Sequence, residues 1–219
     1  MSERWVVPEV CPVCLSSRVM HFLQVNTQCY WRCQRCEATF LDPQQHPDAR
    51  TERAEYAFHE NRPDPGYLRF LERVLTPLRD RLQAGAEGLD YGCGPGPVLM
   101  QQLQADGFRM AGYDPFFAPD TTLLARTYDF VTCTEVVEHF HHPAREFARL
   151  QGLVRPGGWL AITTCFQTDD RRFAQWHYRR DPTHVVFYRD STFRHLAARW
   201  EWHIEIPTKD VVLLRKLDA

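Results

Sequence analysis

The sequence predicts an α/β protein in which an open, mostly parallel sheet follows a small metal-built ribbon. Three observations carry that reading. A glycine-rich turn, Asp90-x-Gly92-x-Gly94-x-Gly96, joins a short apolar strand to a helix. A second strand ends in another acidic residue, Asp114, 24 residues after Asp90. Two Cys-x-x-Cys pairs, Cys11/Cys14 and Cys33/Cys36, stand near the N-terminus. The expected division is residues 1–46 for the ribbon and 47–219 for the sheet domain.

The 219 residues suffice for one full-sized domain and a small appendage. Against 28 Asp and Glu, the 26 Lys and Arg leave a formal charge of −2, so no global field draws the chain to nucleic acid or membrane. A local basic patch is the remaining route. No apolar run approaches the roughly 20 residues of a membrane span, and the N-terminus lacks the basic start and apolar core of a signal peptide. The expectation is a cytoplasmic protein. The scattered Cys29, Cys93, Cys133 and Cys165 fit reduced thiols there. The oligomeric state is not legible.

The ribbon comes first. Two intervening residues let both sulfurs of a pair face one ion, and the two knuckles, 18 residues apart, complete a tetrahedral thiolate shell. Between them, residues 19–25 and 29–31 read as strands about a turn at Asn26-Thr27. So short a segment cannot bury enough apolar surface to fold alone, so Zn2+ supplies its stability. A site closed by four thiolates has no open position, and its role is structural.

Pro43, Pro47, Pro63 and Pro65 punctuate the passage to the main domain. Within it Tyr56, His59 and Asn61 form a polar cluster, either a solvated loop or a cap over a bound ligand. Apolar residues then recur at helical spacing over 66–82, with an interruption or kink expected at Pro77. A strand ends at Asp90 and Tyr91, the glycine turn follows, and residues 98–105 open a helix. A further strand reads at 109–113, a helix at 191–200, and a closing antiparallel pair at 202–206 and 211–217.

The Asp-x-Gly-x-Gly-x-Gly turn resembles motif I of class I S-adenosylmethionine (SAM)-dependent methyltransferases, and residues 128–134 (YDFVTCT) resemble their motif IV. With Asp114, and with residues 153–163 (LVRPGGWLAIT), which resemble the turn and fifth strand after that motif, the resemblance covers roughly residues 88–164. It implies a Rossmann-like fold and SAM as cofactor. Asp90, Gly92, Gly94, Gly96, Asp114 and Glu135 would contact it, with Asp114 on the ribose hydroxyls. One departure stands out. Only 13 residues separate Asp114 from Tyr128, where the family fits a helix, a third strand and an adenine-binding acidic residue. A short helix at 121–126 is all that fits. Asp120 stands in as the adenine's acidic partner, or Phe116, Phe117 and Leu123 form its pocket instead.

After motif IV comes Glu135-Val-Val-Glu138-His139. If Glu135 opens a helical turn, Glu138 and His139 share its face. His184 follows in the loop after the fifth strand. This combination resembles the metal site of small-RNA 2′-O-methyltransferases and of ubiquinone-pathway O-methyltransferases. The resemblance implies Glu135, Glu138, His139 and His184 as ligands of Mg2+ or another divalent ion that binds acceptor hydroxyls. The plainer alternative is also open: in many metal-independent relatives the Glu caps a helix or contacts the cofactor, and the His packs or binds substrate.

Residues 171–180 interleave arginines with Phe173, Trp176, His177 and Tyr178. They form either an acceptor-binding surface or a lid with aromatics packed down and arginines in water. Of these, His177 joins Glu138, His139 and His184 as a catalytic candidate. The leading expectation is methyl transfer to a hydroxyl of a small molecule, with the metal assisting. The rivals are an RNA methyltransferase gripping its substrate with ribbon and arginine loop, and a non-catalytic SAM-binding protein.

Overall fold

The computed structural model describes residues 5–57 and 63–218. The ribbon is a hairpin extended to a four-stranded sheet. Strands β1 (Val19–Val25) and β2 (Gln28–Cys33) pair antiparallel about Asn26, whose φ of 54° is the left-handed conformation an Asn tolerates. β2 pairs with β3 (Thr39–Leu41). The fourth strand comes from far along the chain: β8 (Val186–Phe187) pairs antiparallel with β3, Thr39 opposite Phe187 and Phe40 opposite Val186. One buried core runs from the cysteines and Tyr30, Trp31 and Phe40 into Tyr188 and Phe193 of the sheet domain.

Helices α1 (Ala49–Tyr56) and α2 (Pro65–Arg79) lead into the main sheet. Asp64 caps α2 by accepting from the Gly66 and Tyr67 amides, with Pro65 pre-set for the first turn. The interruption expected at Pro77 does not occur: α2 runs on to Arg79, and the missing Pro77 amide costs its last turn a single hydrogen bond. Its buried Leu71, Val74, Leu75 and Leu78 pack on Trp159, Ala161, Val211 and Leu213 of the sheet.

The sheet comprises β4 (Glu87–Tyr91), β5 (Arg109–Tyr113), β6 (Tyr128–Thr134), β7 (Val154–Thr163), β9 (His203–Glu205) and β10 (Val211–Arg215). Their order is β5-β4-β6-β7-β10-β9. The first four are parallel, and β10 and β9 close the far edge antiparallel. Helix α3 (Val98–Ala105) follows the glycine turn, α4 (Pro143–Leu153) joins β6 to β7, and α5 (Asp190–Trp200) precedes β9.

Between Asp114 and Tyr128 lie only an isolated bridge to Ala118 and a 3-10 turn, Thr121–Ala125. No strand stands outside β5 among the described residues, so the third-strand region is shortened as its length required. No helix among them is long and apolar enough to cross a membrane.

Candidate functional site

A cavity of about 600 Å³ opens at the carboxyl ends of β4, β5 and β6, where parallel sheets bind ligands. Gly92 and Gly94 form one wall with φ of +82° and +61°. A Cβ on Gly92 would also stand 2.5 Å from Cγ2 of Val136, so glycine is demanded twice. The Gly92 amide donates to the Tyr113 carbonyl at 2.7 Å. The Asp114 carboxylate accepts from the amides of Gly94 (3.1 Å), Phe116 (2.8 Å) and Phe117 (3.0 Å). Thus Asp114, Gly92 and Gly94 share the wall and fit the ribose and methionine ends of SAM.

Two expected contacts lie elsewhere. Asp90 does not line the cavity. Its side chain turns into the sheet, 4% exposed, and accepts from Thr132 Oγ1 at 2.7 Å. Burial pushes its carboxyl up to about 6. The turn leaves the cavity at Pro95, one residue before Gly96. On the adenine side Phe116 and Phe117 line the wall, whereas Leu123 and Asp120 do not. Asp120 instead caps the 3-10 turn through the Thr122 amide, 3.0 Å away. Tyr56, at the end of α1, reaches the cavity with its ring against His139 and Phe116. His59 and Asn61 lie outside the described residues.

Glu135 does not open a helical turn. Its φ is 53°, its amide is held by the Thr163 carbonyl, and a 3-10 turn, Val137–His139, follows. The cluster that forms is therefore smaller than expected. Glu138, His139 and His184 each place a ligand atom within 4.8 Å of the others, without Glu135. Glu135 lines the same cavity, and its Oε2 lies 3.1 Å from the Tyr178 hydroxyl oxygen.

His139 Nδ1 lies 3.1 Å from the Thr183 carbonyl and His184 Nδ1 lies 2.7 Å from that of Tyr178. A carbonyl only accepts, so both Nδ1 atoms donate, which fixes the orientation of the two rings. Glu138 is fully buried. Its Oε1 accepts from Tyr178 at 2.5 Å, while Oε2 has no hydrogen-bond partner among the described residues. Burial, helped by the Glu135 charge, pushes this carboxyl well above the usual range. A buried orphan oxygen beside two imidazole nitrogens is a donor set that fits a divalent cation.

Sequence reasoning missed Tyr178 as a site residue, and also Asp181, which lines the cavity with Oδ2 3.8 Å from His184 Nε2. Both flank the run from which only His184 was singled out.

The arginine–aromatic loop faces the ribbon. Phe173 is buried against Tyr30 and Phe187 at 4.9 and 5.1 Å between ring centroids. Arg179 is buried too, donating to Gln28 Oε1 at 2.8 Å and to the Tyr30 hydroxyl at 3.2 Å. His177 is exposed and does not line the cavity, because the 3-10 turn that follows it turns its neighbour Tyr178 inward instead.

In the ribbon the buried Cys11 and Cys36 sulfurs are 3.7 Å apart and those of Cys14 and Cys33 3.6 Å. Tetrahedral Zn–S bonds of about 2.3 Å require roughly 3.8 Å between sulfurs, so these residues fit zinc. The Val13 and Arg35 amides donate to Cys11 and Cys33, as knuckles do.

A methyltransferase-domain family model matches residues 32–204. The ubiquinone biosynthesis O-methyltransferases of Burkholderia multivorans and Burkholderia ambifaria are each 31% identical over 105 residues, covering 37% of this chain and 45% of theirs. The chain thus spans less than half the length of these curated relatives. Among solved structures, a Burkholderia thailandensis 1,6-didemethyltoxoflavin-N1-methyltransferase, with 1,6-didemethyltoxoflavin and S-adenosylhomocysteine bound, is similar at TM-score 0.55. That likeness has 15% identity over 90% of this chain and 99% of that one. An O-methyltransferase family protein from the same species gives 0.53 at 15% identity, over 80% and 65%. At such identities the likeness is one of fold.

Proposed function

Because the chain belongs to the methyltransferase-domain family and has the class I SAM-dependent fold, we propose that it methylates a hydroxyl of a small molecule, assisted by a divalent cation at Glu138, His139 and His184. The observation that carries this reading is the cluster of Glu138, His139 and His184, ligand atoms within 4.8 Å of one another, in the cavity that Gly92, Gly94 and Asp114 line, with Glu138 Oε2 buried and unsatisfied. The hydroxyl acceptor is supported by the relatives named O-methyltransferases.

SAM supplies a sulfonium methyl, and a divalent cation lowers the pKa of an acceptor hydroxyl and fixes its oxygen. The chain's own residues do the rest. Gly92 and Gly94 admit the cofactor against the backbone, and Asp114 orients it. Glu138, His139 and His184 each bring a ligand atom within 4.8 Å of the others beside that wall, so donor and acceptor meet in a fixed orientation. Phe116, Phe117 and Phe140 exclude water from that wall. Residues 1–46 act as a zinc-built scaffold and residues 47–219 as the transferase unit. The RNA reading loses support from Arg179 and Phe173, which are spent on internal packing.

The experiment is methyl transfer from labelled SAM into the small-molecule and RNA fractions of a cell extract. It is run with Mg2+, Mn2+ or Co2+ and after chelation that leaves the ribbon's zinc in place. Label in small molecules that disappears on chelation is expected. Label in RNA alone, or full activity in chelator, would overturn the respective half of the reading.

A further inference from the structure

We propose that Tyr178 is the positioning residue of the Glu138–His139–His184 cluster and that Arg179 anchors it to the ribbon, so that the four-cysteine module sets the geometry of the second site. This rests on the divalent-cation reading above. Tyr178 holds two of the three ligands by two different groups. Its hydroxyl lies 2.5 Å from Glu138 Oε1, and its backbone carbonyl lies 2.7 Å from His184 Nδ1. Its ring also packs on the His184 ring, 4.2 Å between centroids.

The hydroxyl is itself fixed. Glu135 Oε2 and Thr164 Oγ1 are each 3.1 Å from it. One hydroxyl carries one proton, and the shortest contact takes it. Glu138 Oε1, the oxygen 4.0 Å from His139 Nε2, is thereby held in place, and the carboxylate is fixed in one orientation towards the two histidines. Without the hydroxyl both oxygens of a buried carboxylate lose their orientation, and the site loses its preference for one coordination geometry.

The anchor is the next residue. Arg179, 7% exposed, donates to Gln28 and Tyr30 on β2, the strand that carries Cys33. A second connection reaches the cluster from β3. The Leu41 amide donates to the Val185 carbonyl at 2.8 Å, and the Val185 amide donates to the Glu138 carbonyl at 2.9 Å. The ribbon therefore grips the loop bearing His184 on both sides of that histidine, at Arg179 and at Val185. Neither Tyr178 nor Arg179 needs to touch substrate for this role.

The test is Co2+ titration of the full chain with its ribbon zinc retained, read by visible absorption and by metal analysis. The wild type should take up one Co2+ beyond its zinc. Tyr178→Phe keeps the ring and the carbonyl but deletes the hydroxyl. It should weaken Co2+ binding about tenfold or more and change the absorption bands, with zinc content and thermal midpoint near those of the wild type. Arg179→Met, which leaves every ligand and Tyr178 in place, should weaken Co2+ binding several-fold and covers the case in which the first variant does not fold. Wild-type affinity and spectrum in both variants would overturn the positioning role alone. A wild type that takes up no Co2+ beyond its zinc would overturn the divalent-cation reading and this inference with it.

Discussion

The Asp90 carboxyl and the Thr132 hydroxyl meet at 2.7 Å across a register pair of β4 and β6, sealed from solvent beneath the glycine turn. The Asp90 pKa of about 6 lies above the ordinary value because burial disfavours the charged form more than the Thr132 hydrogen bond restores it. A folded-state pKa raised in this way contributes stability that is complete below about pH 4 and is lost as pH rises through 6. Ionising the group in the free protein therefore costs roughly 3 kcal/mol between those limits. Asp90→Asn keeps an acceptor oxygen for Thr132 and has no charge to bury. Urea unfolding at pH 4.5 and 7.5 should show a wild-type loss about 2–3 kcal/mol larger than the variant's. Equal losses in the two proteins would remove the buried ionisation from the account.

Gly92 and Gly96 belong to one motif but should respond differently to a methyl group. At Gly92 the φ of +82° and the 2.5 Å approach to Val136 together forbid a Cβ without moving the wall. Gly96 has no positive φ and does not line the cavity. Gly92→Ala should weaken S-adenosylhomocysteine binding at least tenfold in calorimetry and lower stability by about 1–3 kcal/mol. Gly96→Ala should bind within a few-fold of the wild type. Indistinguishable affinities for the two variants would mean that the turn does not approach the cofactor as proposed.

What the sequence made legible was local. Local spacing marked β1, β5 and α3 with their observed bounds, and the resemblance to motif IV marked those of β6. The 13-residue gap after Asp114 foretold the shortened third-strand region, since chain length limits what can be built there. What failed was non-local or conformational. Val186 and Phe187 are two apolar residues with no period of their own, and only Thr39 and Phe40, far away in the chain, make them a strand. Glu135 was placed on a helical face by spacing, but its left-handed backbone, set by the contact of its amide with Thr163, points it elsewhere. His177 and Tyr178 are adjacent, and no pattern says which of the two a 3-10 turn will send inward.

That last pair makes a direct contrast. His177→Ala should leave methyl transfer into the small-molecule fraction within about twofold of the wild type, because the side chain is exposed and away from the cavity. His184→Ala removes one proposed cation ligand and the partner of the Tyr178 carbonyl, and should cost about a hundredfold or more. The comparison is made at saturating Mg2+ with labelled SAM. A hundredfold loss in His177→Ala would return the exposed loop to the reaction.

Zinc removal should reach well beyond the ribbon. The four cysteines are buried in one core with Trp31, Phe40, Phe187 and Tyr188, so releasing the ion frees four thiols inside that core and unpairs β3. β8 then loses its strand partner, and with it the restraint on the segment that carries His184. Loss of a structural site of this kind costs several kcal/mol, which for a chain of this size lowers the thermal midpoint by roughly 10 °C. Stripping zinc, or Cys33→Ser, should release about one ion per chain. Amide exchange should then accelerate at Phe187 as well as in β1 to β3, while β4 and β6 stay protected. Protection at Phe187 that survives zinc loss would separate the ribbon from the site, because its amide, two residues along from the Leu41–Val185 hydrogen bond, lies on the side of the strand that faces Thr39.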